Sequence, residues 1–221
     1  MKKFWKIFAI VAAGVVLLGS FVFGGIMLFE WIRNTFFEPQ VVVYKPVIYL
    51  YPEEEREITV KLELDGELTC TYPAYNDGWT VTACPDGTLT DAGGREYNYL
   101  FWEGNLNADY DMSRGFCVKG EETAGFLEDS LEKLGLNNKE AADFITYWLP
   151  KMQENPYNII TFAGNDYTDK AKLTSDPAAD TVIRVFMVFK ASDKKIEIEP
   201  QELTAPEREG FTIVEWGGTG Q

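Results

Sequence analysis

Two periodicities run along this chain and occupy different stretches of it. Ile58, Val60, Leu62 and Leu64 alternate with Thr59, Lys61 and Glu63, the period of two that predicts a strand with one buried face. Val47–Tyr51 is a β-branched and aromatic run stopped by Pro52, a further strand. Asp65-Gly66 predicts a two-residue hairpin turn with Leu68–Tyr72 as the return strand. Turn signals at Asn76-Asp77-Gly78 and Pro85-Asp86-Gly87 bracket a strand at Trp79–Ala83, and Tyr97–Glu103 reads as another. Helical spacing is confined to the middle. Phe126, Leu127, Leu131 and Leu134 form one stripe, with Gly135 placed as its C-terminal cap. Asn137 and Glu140 then have the spacing of a capping box, and Phe144, Ile145, Trp148, Leu149 and Met152 line the inner face of a second helix. Pro150 is expected to kink that helix or end it early. Strands resume at Asn158–Phe162 and Thr181–Phe189, with short final ones at Lys195–Glu199 and Phe211–Trp216, while residues 164–180 read as a long polar connection. This order lacks βαβ alternation, so the expected class is α+β: an antiparallel, β-rich, sandwich-like domain with an inserted helical pair.

The N-terminal part follows neither pattern. Ile7–Phe29 is 23 residues without a charge, about 35 Å as a helix and long enough for a hydrocarbon core of about 30 Å. Trp5 and Trp31 flank it, and Lys2, Lys3 and Lys6 crowd its N-terminal side. That bias predicts a cytoplasmic N-terminus and an extracytoplasmic domain. A cleaved signal peptide would share the orientation, but its apolar region would be shorter and would end at a small-residue site. The reading is a retained transmembrane signal-anchor helix over residues 1–33, a linker over 34–43 and one globular domain over 44–221. Ser20 and Gly24 have the spacing of a small-residue helix-packing pair.

Charge and composition then remove whole classes of function. The chain holds 20 basic and 35 acidic residues. Its first forty residues take four of the bases and two of the acids, which leaves the remainder at −17. Such a domain repels nucleic acid, so none is expected as a partner. Histidine is absent, which excludes Ser-His-Asp and Cys-His catalysis and every histidine-bearing zinc site. Of the three cysteines, Cys70 and Cys84 tempt as a disulfide on neighbouring strands, but strand alternation puts them on unmatched faces. The expectation is three thiols acting as small apolar residues.

Several segments match a known pattern. KPVIYLYP at 45–52, YLFWEG at 99–104 and EWGG at 215–218 resemble a bacterial family of uncharacterised, membrane-anchored proteins. YWLP at 147–150, NPY at 155–157 and IRVFM at 183–187 are similar to the same family. The resemblance implies a single domain from about Tyr44 to Trp216, and it brings no activity, substrate or site residue.

Carboxylates are the only catalytic material. Glu103 follows Trp102 and Glu215 precedes Trp216; a glutamate beside an aromatic can serve as the acid of a glycoside hydrolase. The plainer reading makes both tryptophans core residues whose neighbouring glutamates face water. Asn105, Asn107, Asp109 and Asp111 alternate like a calcium loop, but Tyr110 and Phe116 stand where an EF-hand needs glycine and glutamate. The expectation is a solvated turn, with no metal and no cofactor. Glu53-Glu54-Glu55 reads as a wet turn. Tyr72, Tyr75, Trp79, Tyr97, Tyr99 and Trp102 are dense in the first half, and Tyr75 lies in a turn-rich segment where burial is least expected. The ligand-binding candidates are therefore Tyr75, Trp102, Glu103, Glu215 and Trp216. The favoured function is a surface-displayed binding or assembly module that meets an envelope polymer or a protein partner. The alternative is a carboxylate-dependent hydrolase of envelope polysaccharide.

Overall fold

The computed structural model describes residues 40–221. The expected transmembrane span, with Ser20 and Gly24, lies outside the described residues. Among those that are described, no helix is long and apolar enough to cross a membrane. The strands are β1 (Gln40–Tyr51), β2 (Arg56–Leu64), β3 (Gly66–Tyr72), β4 (Trp79–Ala83), β5 (Leu89–Thr90), β6 (Glu96–Tyr97), β7 (Leu100–Asn107), β8 (Phe116–Lys119), β9 (Tyr157–Phe162), β10 (Ala171–Asp176), β11 (Thr181–Ser192) and β12 (Thr212–Gly220). The helices are α1 (Thr123–Lys133), α2 (Asn138–Met152) and the single turn α3 (Asn165–Thr168).

The strands form two sheets, one of seven in the order β3-β7-β1-β12-β11-β9-β8 and one of five in the order β10-β2-β4-β5-β6. Period two decides which residues meet between them. Ile58, Val60, Trp79 and Val81 of the small sheet join Ile48, Leu50, Leu100, Trp102, Phe186, Val188 and Ile213 of the large sheet in one core. The other face of the large sheet turns Val47, Tyr49, Val185, Met187, Val214 and Trp216 onto Leu127, Leu131, Phe144, Trp148 and Met152 of α1 and α2. The domain is thus three layers deep, helices on sheet on sheet, and the central strands are apolar on both faces. This explains the unbroken hydrophobic run of β1, where Pro46–Leu50 are all buried. At about 1.5–3 kcal/mol for each large apolar side chain buried, the two cores are the main stabilising force.

The helical pair stands as the sequence predicts. The Asn137 side chain accepts from the Glu140 amide, and the Glu140 side chain accepts from the Asn137 amide, a complete capping box. The end of α1 is closed by Gly135 N–H to Glu132 O and Leu136 N–H to Leu131 O, the double bond of a Schellman turn. Pro150 falls in the last turn of α2, which ends two residues later at Met152.

Several expectations are overturned, each by pairing partners far away in sequence. The sheets are not purely antiparallel, because β11 and β12 run parallel from Thr181↔Thr212 to Phe189↔Gly220. Asp65-Gly66 is not a hairpin: β2 pairs with β4 and β10, whereas β3 pairs with β7. The chain crosses between sheets there, and a Cβ on Gly66 would overlap the carbonyl oxygen of Asn105. Asp65 fixes the crossing, its amide donating to Lys170 O at 2.7 Å and its carbonyl accepting from Asn107 at 2.8 Å. The expected linker over 34–43 gives way at Gln40, because Gln40–Val43 already pair with Gly104–Asn107 of β7. Residues 164–180 hold α3 and β10. Lys195–Glu199 alternates like a strand but makes only one isolated bridge, Arg114↔Glu199, beside the outer edge of β8. Cys70 and Cys84 lie in or beside different sheets, and all three cysteines are free. Cys70 is exposed on the edge strand β3, so it does not act as a small apolar core residue.

Candidate functional site

The five ligand-binding candidates do not converge. Along β7, Leu100, Trp102, Gly104 and Leu106 are buried, and Phe101, Glu103, Asn105 and Asn107 between them are partly exposed. Trp102 therefore points between the sheets and Glu103 points to the opposite, helix-bearing face. Glu215 bonds to Trp102 and so shares its face, while its neighbour Trp216 packs among the helices, edge-on to Phe144 at 5.2 Å. The two glutamates thus stand on opposite faces of one sheet.

Glu215 does not face water. It is 1% exposed and surrounded by donors. Trp102 Nε1–H donates to one carboxylate oxygen at 3.0 Å, and the Tyr167 hydroxyl and Arg184 Nε donate to the other at 3.1 and 2.7 Å. Arg184 Nη2 stands 2.6 Å from that second oxygen, close enough for a strong ion pair though not aligned as a hydrogen bond. Nη1 donates to Ala171 O at 2.5 Å. Burial is the largest single influence on Arg184 and works to discharge it, but the charges and hydrogen bonds of Glu215 and Tyr167 together outweigh it and hold the guanidinium above its usual range. Tyr167 lies flat on Phe186 with ring centroids 4.1 Å apart, and the Arg184 guanidinium stands over its ring at 4.8 Å. Burial and the neighbouring Glu215 push its hydroxyl far up. Every polar atom of Glu215 is engaged inside a sealed core, so the arrangement clamps β7, β11, β12 and β10 together and offers no proton to a substrate.

Glu103 sits at the bulge of β1, where register shifts between Tyr44 and Val47. Lys45 takes φ +58 there, its amide donates to Glu103 at 3.2 Å and its ammonium donates to the Tyr99 hydroxyl at 3.0 Å. The KPVIYLYP, YLFWEG and EWGG segments meet at this part of the sheet, because β7, β1 and β12 are neighbours. Most of their residues have packing roles: a Cβ on Gly218 would stand 2.8 Å from the Trp148 ring, so only glycine lets α2 lie this close.

Tyr75 is half-buried, against the expectation of an exposed loop aromatic. β4 stops opposite Val60, which leaves the next outward groups of β2 without a strand. The Tyr75 hydroxyl fills the gap, accepting from Leu62 N–H at 3.0 Å and donating to Leu62 O at 3.3 Å. Its ring meets Trp79 edge-on at 4.7 Å. Asn105 and Asn107 are strand residues of β7 rather than a calcium turn, and Asp111 is engaged with Ser113. Among the described residues no group of three or more acids or cysteines is arranged to hold a metal ion.

A recess lies beside these aromatics. It is a groove of about 520 Å³ between the Pro73–Gly78 loop, the start of β4 and the β5–β6 turn, with Trp79, Thr80, Asp91 and Tyr97 among its walls. Its shape is fixed internally: Trp79 Nε1–H donates to Pro73 O at 2.8 Å, and the Tyr97 hydroxyl donates to Asp91 at 2.7 Å. The other Asp91 oxygen accepts from the Gly93 and Arg95 amides. The Arg95 amide and then the Tyr97 hydroxyl hold the Asp91 carboxyl below its usual range. Tyr72 stands next to the groove wall, 52% exposed and edge-on to Tyr97 at 5.4 Å. Tyr72, Trp79 and Tyr97 were legible in the sequence as part of a dense aromatic stretch. Arg184 and Tyr167 were missed; an arginine inside the most apolar strand is a signal for a buried acid partner.

No protein-family model matches the chain, and no solved structure matches it. A stretch of 64 residues is 50% identical to a Butyrivibrio fibrisolvens protein described as "Uncharacterized protein in bglA 3'region". The match covers 28% of this chain and 66% of that protein, just under two thirds of its length.

Proposed function

We propose that this protein is a single-pass, membrane-anchored binding or assembly module whose domain is displayed outside the cytoplasm. The charge-free span Ile7–Phe29, flanked by three lysines on its N-terminal side, supports the anchor and its orientation. The resemblance to uncharacterised membrane-anchored bacterial proteins supports the same reading. The observation that carries the binding role is the groove at β4. It is an open recess whose loop and turn walls are held by the Trp79 and Tyr97 hydrogen bonds, with Tyr72 exposed beside it and a carboxylate in its wall. Tyrosine beside a polar groove suits stacking on a sugar ring or on a partner's side chain. A carboxylate-dependent hydrolase draws no support from Glu103 and Glu215, since two-carboxylate chemistry needs both acids within about 5–10 Å on one substrate.

The test uses the full chain in detergent micelles. Retention on purified envelope polymer is measured beside release of soluble products from the same polymer. Tyr72→Ala is expected to cost about 1–2 kcal/mol of affinity while the fold stays intact. Product release by the parent protein would overturn the binding reading. A reporter active only outside the cytoplasm, fused after Gln221, is expected to work and to stay in the membrane fraction.

A further inference from the structure

Strand edges that end early are closed by side chains at two places in this domain. The Tyr75 hydroxyl serves both main-chain groups of Leu62. The Gln201 side-chain amide does the same for Phe162, donating to its carbonyl at 3.1 Å and accepting from its amide at 2.8 Å. A third edge has no such plug. β9 runs beside β11 only over Met187–Ser192, with one further rung from Ala163 N–H to Phe186 O. On its other side β11 is paired with β12 from Thr181 onward. In an antiparallel ladder both main-chain groups of alternate residues face the same neighbour. The groups that continue the rung at Phe186 therefore belong to Arg184 and Val182. They face a recess of about 280 Å³ walled by Leu134, Gly164, Ala205 and Pro206. Val182 is 45% exposed, and a Cβ built on Gly164 would have nothing within 4 Å.

We propose that this recess receives an extended peptide segment of a partner protein, added to the seven-stranded sheet in line with β9. Two outward-facing residues supply two donors and two acceptors at strand spacing, a pattern that a peptide backbone matches and a sugar does not. A peptide residue seated opposite Ile183 would turn its side chain to the helix-bearing face, where Leu134, Ala205 and Pro206 form an apolar wall. The segment therefore carries a Val- or Leu-sized residue at its centre. The acidity of the domain favours basic residues flanking it. This site is separate from the groove at β4 and stands whether or not that groove binds anything.

The experiment uses the full chain in detergent micelles and a labelled pool of end-capped hexapeptides. Each has lysine at both ends and Val, Leu, Thr or Ser at the four central positions. Members with a central Val or Leu are expected to raise fluorescence anisotropy. Their N-methylated counterparts, which cannot donate along the ladder, are expected to fail. Val182→Pro removes an outward N–H that β12 does not use, and it is expected to weaken binding at least about tenfold. Ala205→Phe fills the recess without touching the main chain and is expected to abolish binding, which guards against misfolding of the proline variant. Amide exchange at Val182 and Arg184 is expected to be fast in the free protein and slow in the complex. The proposal is overturned if no member of the pool binds. It is equally overturned if binding survives N-methylation and both substitutions, or if the two amides are already protected in the free protein.

Discussion

Arg184 and Glu215 meet between the two sheets, whereas Arg208 and Glu140 meet at the outer end of α2. In the first pair both side chains are covered, 9% and 1% exposed; in the second Glu140 is fully covered but Arg208 keeps 29% of its surface. The partners differ too. Glu215 shares its oxygens with Trp102 of β7 and Tyr167 of α3, both distant in sequence. Glu140 takes two bonds from its own helix cap, through the Asn137 amide and side chain, and two from Arg208, which also donates to Gly135 O. The inner pair ties strands together and has no route to water when one partner is lost. The outer pair fastens the long connection between β11 and β12 onto a helix end, where water can replace the arginine. A buried ion pair is thus not one kind of interaction: what its loss costs depends on where the remaining charge can go.

Substitutions can break that contrast. Arg184→Leu strands a fully buried carboxylate and is expected to cost about 3–5 kcal/mol, read as a large fall in the urea midpoint. Arg208→Ala leaves Glu140 its cap bonds and access to solvent, so about 1–2 kcal/mol is expected in the same assay. Equal losses in the two variants would refute the distinction. Tyr75→Phe is a neutral counterpart: it deprives Leu62 of both main-chain partners and is expected to cost about 1–3 kcal/mol. A cost near zero would show that water reaches Leu62.

Asp65 gives a third, exposed version of the ion pair. The Lys170 side chain, 2.8 Å away, and then Asn107 hold its carboxyl below the usual carboxylate range. Its contribution is therefore fully present above the unfolded value of about 3.9 and is lost as pH falls through the lower folded value. Parent and Asp65→Asn are expected to differ in stability at neutral pH and to converge at the acid end; parallel curves would contradict this. The smallest effect is none at all. With three free thiols, reductant should leave unfolding of the parent unchanged, and a clear loss would reveal a disulfide.

The local rules were legible and the distant ones were not. Asn137 with Glu140 announced a helix start because a capping box is complete within four residues. Alternation found β2, and the turn signals at Asn76-Asp77-Gly78 and Pro85-Asp86-Gly87 found β4, for the same reason. Asp65-Gly66 misled because a hairpin turn and a crossing between sheets begin with the same dipeptide. Only the rung from Asn107 to Asp65 and the closeness of Asn105 tell them apart. Lys195–Glu199 has the alternation of a strand without a matching edge to pair with. At the groove, the aromatic density was visible, yet the sequence could not show that Tyr75 would be spent on Leu62 and Tyr72 left outside. Glu215 looked like any glutamate beside a tryptophan until Arg184, 31 residues away in sequence, was placed against it.

β12 is the last strand in chain order and the fourth of seven in space, between β1 and β11. Until residues 212–220 are laid in, the large sheet exists as two separate halves, β3-β7-β1 and β11-β9-β8. Both halves then present their most apolar strands as bare edges. Joining them requires contacts across most of the sequence, which makes this step late and slow. For a chain that emerges gradually during synthesis, the two halves must be kept from pairing with the wrong neighbours throughout that wait. The excess of acidic over basic residues, 35 against 20, sets copies of the unfolded chain against one another during that interval.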